Sequence, residues 1–142
     1  MLVRLIYASR STQPVDDGMI RSILDQSGRH NVAAGITGVL CVCHGDIFMQ
    51  ALEGGRDEVN QLYAKLIRDA RHTDVTLLDY AEIGERRFSS WRMGRVDLDK
   101  LNLGVILRYS ERPQLDPFQI SGRAALALLE ELVSMAAIMG GD

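Results

Sequence analysis

Two polar side chains stand inside runs that are otherwise mostly apolar: Tyr7 in Leu2-Val3-Arg4-Leu5-Ile6-Tyr7-Ala8, and Gln50 in Ile47-Phe48-Met49-Gln50-Ala51-Leu52-Glu53. Read as strands, alternate residues share a face, so Tyr7 points with Val3 and Leu5, and Gln50 with Phe48 and Leu52. A buried phenol or carboxamide left without a partner costs roughly 1 to 3 kcal/mol, so something in the core must satisfy both groups. A glutamine amide presents an acceptor oxygen and a donor NH2 at opposite corners. A flip of that amide therefore exchanges which neighbours are satisfied.

Other residues able to do chemistry have ordinary roles when taken one at a time. Asn31, near the end of the first helix, suits a cap. Arg68, Asp69, Arg71 and His72 fall at the end of the second helix, where cations neutralise the carbonyl end. Ile23, Trp91 and Met93 read as core. Cys41 and Cys43 lie two apart in a strand and point to one face, but structural zinc takes four ligands and no second cluster accompanies them. Free buried thiols are the expectation. No Gly-x-Gly-x-x-Gly follows the first strand and no phosphate-binding glycine loop occurs.

The elements that must position these residues can be read from period and punctuation. Leu2 to Ala8 is a first strand. A helix is expected to start at Pro14, with Asp16 and Asp17 at its positive end, an apolar face of Val15, Met19, Ile20, Ile23 and Leu24, and a stop at Gly28. Gly35 to Cys43 and Ile47 to Glu53 form a hairpin about His44-Gly45-Asp46. After Gly54-Gly55, a second helix carries Val59, Leu62, Tyr63, Leu66 and Ile67 on one stripe and ends near Arg71-His72. Val75 to Ile83 is a fourth strand, and Trp91-Arg92-Met93 a short fifth. Helical residues resume from Asp97 to Leu107, Pro113 and Pro117 mark a linker, and Ile120 to Met139 carries Ala124, Leu128, Leu132, Met135 and Met139 along a last helical face.

The order βαββαβ is the ferredoxin-like arrangement of the α+β class, with two helices on one face of the sheet. If Gly45-Asp46 forms the turn, Gln50 pairs with Cys41 and shares a face with Phe48, Leu52, Val39 and Cys43. The opposite face, with Ile47, Met49, Ala51, Leu40 and Val42, is too apolar for water, and the C-terminal helix is the element able to cover it.

Tyr7 and Ser9, His30-Asn31, Phe48-Met49-Gln50-Ala51-Leu52-Glu53-Gly54, Arg68-Asp69-Ala70-Arg71-His72 and Trp91-Arg92-Met93 together resemble the BLUF family, sensors of blue light using FAD. The similarity covers residues 1 to 95 in order. It implies a flavin-binding domain there and a C-terminal helical extension over 96 to 142. It also implies FAD held non-covalently between the two helices, with Tyr7 and Gln50 in a hydrogen-bonded chain beside the ring. Asn31 is similar to the residue that holds a flavin carbonyl, and Ile23 to the aliphatic one packed on the ring. Arg68, Asp69, Arg71 and His72 resemble the group lining the ring edge and the ribityl or phosphate end, where cations suit a diphosphate. The implied photoactive set is Tyr7, Gln50, Trp91 and Met93. Tyr7 transiently gives an electron and a proton, the hydrogen bonds of Gln50 rearrange, and the change passes to Met93 or Trp91; which of these two adjoins Gln50 stays open.

The resemblance implies a sensor rather than an enzyme, acting on a downstream protein effector that the sequence does not identify, with a homodimer as one assembly. The rival is an acylphosphatase-like hydrolase on the same fold, which uses an arginine and an asparagine at a phosphate site; fold alone does not separate the two. Against it, the loop after the first strand lacks a glycine-rich anion cradle. A net charge of -3 without a basic run gives no nucleic-acid footprint. No apolar run approaches the roughly 20 residues of a membrane span, and the expected location is cytoplasmic.

Overall fold

The computed structural model describes residues 1–139. Strand β1 (Leu2–Ser11) leads to helix α1 (Asp17–Ala34), the hairpin of β2 (Thr37–Cys43) and β3 (Ile47–Gly55), helix α2 (Arg56–Arg68) and strand β4 (His72–Ile83). After a loop come β5 (Gly94–Asp97), a 3-10 turn (Leu98–Lys100), α3 (Leu103–Tyr109) and α4 (Gly122–Ser134). The sheet runs β4-β1-β3-β2-β5, with β1 antiparallel to both neighbours and β5 parallel to β2. The first four strands have the ferredoxin-like order, as the pattern βαββαβ predicts.

Two apolar layers flank the sheet. Val3, Leu5, Tyr7, Leu40, Val42, Phe48 and Leu52 face α1 and α2, meeting Ile20 and Val59. Ile6, Val39, Cys41, Cys43, Ile47, Met49 and Ala51 face the other way, onto Ala125, Leu128, Leu129 and Leu132 of α4. The C-terminal helix does cover the second face. Its first residue, Gly122, lies so close to β4 that an added Cβ would come within 2.1 Å of the Leu78 carbonyl oxygen.

The hairpin register differs from expectation by one residue. His44 and Gly45 both adopt positive φ, and the loop uses three residues, so Cys43 pairs with Ile47, Cys41 with Met49 and Gln50 with Leu40. A slip of one residue sends every side chain of a strand to the other face. Cys41 and Cys43 therefore lie in the α4 layer, and Leu40 and Val42 beneath the two helices.

Helix α1 starts later and ends later than its sequence signals suggest. Asp16 caps it, accepting from Met19 N at 2.7 Å, and it runs through Gly28 to Ala34, where Gly35 at φ 70° takes the left-handed cap. One interior glycine costs only about 1 kcal/mol, which packing readily outweighs. Asn31 consequently sits in the last turn of α1 rather than beyond it. At the other helix, Asp69 is the cap of α2 and His72 opens β4; Ile67 falls off the buried stripe and is exposed.

Trp91-Arg92-Met93 forms a bend before β5 rather than a strand, and the helix expected over 97 to 107 is split by Leu101-Asn102, with Asn102 capping α3 through Val105 N. Helix α4 is shorter than 120 to 139, ending before Ala136 at φ 54°, so Met135 and Met139 are exposed instead of extending the buried stripe.

Candidate functional site

Between α1 and α2 the sheet is left partly uncovered, forming a cleft of about 630 Å³ counted with its open mouth. Its floor is Tyr7 from β1, Leu40 from β2, and Phe48 and Gln50 from β3. Met19, Ile23, Gln26, Ser27 and Asn31 line it from α1, Leu62 and Leu66 from α2. Asp69, Arg71 and His72 close the rim where α2 turns into β4.

Tyr7 and Gln50 are paired directly across β1 and β3, and the Tyr7 hydroxyl donates to Gln50 Oε1 at 2.5 Å. Burial, followed by the nearby Tyr63 and Asp69, raises the phenol above its ordinary pKa, so it remains a donor across the physiological range. Its ring is held by Tyr63 and by His72, with centroids 5.7 and 6.4 Å away. Gln50 Nε2 in turn donates to Met93 Sδ at 3.3 Å, a weak acceptor. Met93 is thus the residue beside Gln50. Trp91 is half-buried and packs into the α4 layer, on the other side of the sheet.

Asn31 is 1% exposed. Its Nδ2 donates to the Arg92 carbonyl at 3.1 Å, but its Oδ1 is buried with no partner among the described residues. An unpaired buried amide oxygen costs roughly 1 to 3 kcal/mol, and this one belongs to a residue lining the cleft.

The charged rim differs from a bare cationic patch. Arg71 is bound to Asp69 through Nε and through Nη2 at 2.6 Å, and this bonding holds the Asp69 carboxyl below its usual range. With a proton on Nε2, His72 donates to the Leu66 carbonyl and accepts from Ser9 Oγ at Nδ1. Arg68 is exposed and is not one of the cleft's lining residues. Asp69, Arg71 and His72 thus share the rim, with Arg71 neutralised by Asp69 and both nitrogens of His72 occupied, while Arg68 stands apart.

A family model for BLUF, sensors of blue light using FAD, matches residues 2–94. The chain belongs to the BLUF family. Photoactivated adenylate cyclase subunit beta of Euglena gracilis is 38% identical over 93 residues, which are 65% of this chain and 11% of that protein. The blue light- and temperature-regulated antirepressor BluF of Escherichia coli is 35% identical over 102 residues, 69% of this chain and 24% of its own length. The chain therefore spans only a small part of these relatives. The structure of BlsA in its photo-activated state superposes with a TM-score of 0.81 at 30% identity, covering 94% of this chain and 95% of that one.

A BLUF chain calls for a flavin, and the cleft fits one. Its walls are largely apolar, and the orphaned Asn31 oxygen offers a polar ligand an unused acceptor. Sequence reasoning missed Gln26 and Ser27. Their signal is positional, since with Ile23 and Asn31 they follow helical spacing and put polar groups on the cleft-facing stripe. Family membership leaves the acylphosphatase-like alternative without support. None of the described helices is long and apolar enough to cross a membrane.

Proposed function

We propose that this chain is a blue-light photoreceptor that holds FAD non-covalently in the cleft between α1 and α2 and uses Tyr7 and Gln50 as its photoactive pair. The buried chain from Tyr7 through Gln50 to Met93, opening into that cleft, is the observation that carries the reading. Bound flavin supplies absorption of blue light and an excited-state electron acceptor.

The protein's part is to bind, orient and move a proton. Ile23 and Met19 from α1 and Leu62 and Leu66 from α2 form apolar walls suited to a planar ring. Asn31 Oδ1 and the second hydrogen on its Nδ2 together complement an imide edge, which pairs an N–H with a carbonyl. Asp69, Arg71 and His72 at the rim suit the ring edge and ribityl end. Arg68, farther out, serves at most the phosphate end.

With flavin bound, Tyr7 would lend it an electron and the hydroxyl proton on illumination and take both back, so that no net redox change remains while the Gln50 amide rearranges. In this structure the Gln50 NH2 rests on a thioether, so its donor end is weakly held. Moving a two-state equilibrium from mostly dark to mostly lit takes about 5.5 kcal/mol. Exchanging two to four buried hydrogen bonds at roughly 1 to 3 kcal/mol each is of that size.

The reading makes the chain a sensory module rather than an enzyme, with residues 1–95 as the flavin-binding domain and 96–142 as the extension that passes the change to a protein effector, as monomer or homodimer. It works in the cytoplasm, where the free thiols of Cys41 and Cys43 stay reduced. Purification tests the core of this proposal. The protein should be yellow, release its chromophore on acid precipitation, and show a reversible red shift under blue light. A colourless protein that refuses added flavin would end the photoreceptor reading, and chromophore retained on the acid pellet would end the non-covalent one.

A further inference from the structure

Glu53 is fully buried, three residues beyond Gln50 on β3, yet belongs to neither the cleft nor the apolar packing. Its carboxylate accepts from the backbone N–H of Arg87 at 3.0 Å, from that of Phe88 at 2.7 Å, and from Arg4 Nη1 at 3.2 Å. Three donors on one buried carboxylate make a strong, directional anchor, because charge-assisted hydrogen bonds are about twice as strong as neutral ones. What it anchors is the middle of the loop from 84 to 93, whose last residue is Met93.

Strand β3 therefore grips this loop at two points, its middle and its far end. Gln50 holds Met93 from the helix face, while Glu53, roughly 10 Å along the strand and on the opposite face, holds Arg87 and Phe88. Phe88 is itself fully buried in the layer beneath α4. A loop fixed at one end acts as a lever when the other end is pushed; a loop loose at both ends absorbs the push.

We propose that Glu53 is a positioning residue for the light response: by fixing Arg87 and Phe88 it makes a displacement of Met93 reach the α4 layer instead of dissipating within the loop. This rests on the photoreceptor reading above. Glu53 touches no cleft residue through its carboxylate, so it should leave chromophore binding and the spectral change alone while controlling what is transmitted.

The test is hydrogen exchange on the full flavin-loaded chain, dark and illuminated, for the wild type and Glu53→Gln. The variant should keep wild-type flavin content and red shift. Exchange at Arg87 and Phe88 in the dark should speed up by about tenfold or more, the factor that losing a charge-assisted hydrogen bond corresponds to. The light-dependent change over Gly122–Ser134, expected in the wild type, should be lost. Should Glu53→Gln fail to fold, Glu53→Asp, which keeps a charge beside Arg4 and shortens the reach to the loop, should give the same separation of red shift from transmission. An unchanged light response over α4 in the variant overturns the proposal, as does loss of the red shift with flavin bound. A wild type that shifts its spectrum without any change over α4 overturns the relay, and one that never shifts overturns the photoreceptor reading beneath it.

Discussion

Tyr7 and Gln50 stand directly opposite each other in the pairing of β1 with β3, and their side chains meet at 2.5 Å on the face that opens into the cleft. The backbone ladder fixes both Cα positions, so a change in the hydrogen bonding of this pair falls to the side chains. A switch built this way moves hydrogen bonds without moving strands.

Replacing Tyr7 by Phe removes the donor and leaves Gln50 Oε1 unpaired, while Gln50→Leu removes both polar ends of the amide. Both variants should still bind flavin, since the cleft walls are untouched, and both should lose the normal red shift. Stability should fall by roughly 1 to 3 kcal/mol in Tyr7→Phe, read from denaturant midpoints. A full spectral shift in either protein would remove that residue from the mechanism.

Asn31 links the cleft to the residue before Met93, because one amide hydrogen already serves the Arg92 carbonyl. Asn31→Ala should therefore weaken flavin retention by about tenfold per 1.4 kcal/mol of hydrogen bonding lost. Titration of the stripped protein with FAD measures this directly. An unchanged affinity would assign the asparagine to the loop alone.

The face carrying Tyr7 and Gln50 was legible in the sequence because successive side chains of a strand point to opposite faces, and that parity within β1 and β3 survives errors elsewhere. The partner of Gln50 was not, because a two-residue and a three-residue turn about His44-Gly45-Asp46 look alike until both φ angles are known. Gly28 and Gly35 give the same stop signal, and only packing chooses between them. The neutralisation of Arg71 by Asp69 depends on a turn that brings residues two apart together, which helical spacing does not show. Arg4 and Glu53 are opposite in the β1–β3 register, so their pairing becomes visible once that register is known.

Cys41 lies on the α4 side of the sheet, separated from the cleft by the strand itself, and burial raises its thiol well above the ordinary value. On that face the thiol is outside the cleft lining and should form no adduct with a flavin held there. Cys41→Ala should keep the complete light-driven spectral change, with a modest loss of stability. Loss of the change with flavin still bound would show that the sheet does not isolate this residue.

Alkaline stability follows from the same burial. The Cys43 thiol is pushed up to about 12 by burial and then by the carboxylates of Asp99, Asp116, Asp46 and Asp97, and Cys41 and Tyr7 are raised as well. Raised folded-state values mean that stability is present in full below about pH 9, the ordinary thiol value, and is lost as pH rises toward the folded-state ones. Each thiol contributes a slope of about 1.4 kcal/mol per pH unit in that window, and Tyr7 adds to it only above about pH 10, the ordinary phenol value. Urea midpoints should be level from pH 7 to 8.5 and fall steeply above pH 9, less steeply in Cys43→Ala; equal slopes in the two proteins would contradict this origin.

The cover over the second sheet face gives the largest expected effect. Leu128, Leu129 and Leu132 are fully buried against Ile47, Met49 and Ala51, and Glu131 ties α4 to α3 through Arg108 and Tyr109. Burying a leucine is worth about 1.5 to 3 kcal/mol, so these three alone rival the 5 to 15 kcal/mol that separates a typical folded domain from its unfolded state. Leu128→Ala should destabilise the protein by about 2 to 5 kcal/mol. Deleting residues 114–142 should expose the whole apolar layer, including Cys41 and Cys43, and produce aggregation or a changed oligomer in size-exclusion chromatography with light scattering. A truncated protein that stays monomeric and soluble, with its flavin bound, would mean that the sheet does not depend on α4 and that the helix serves signalling alone.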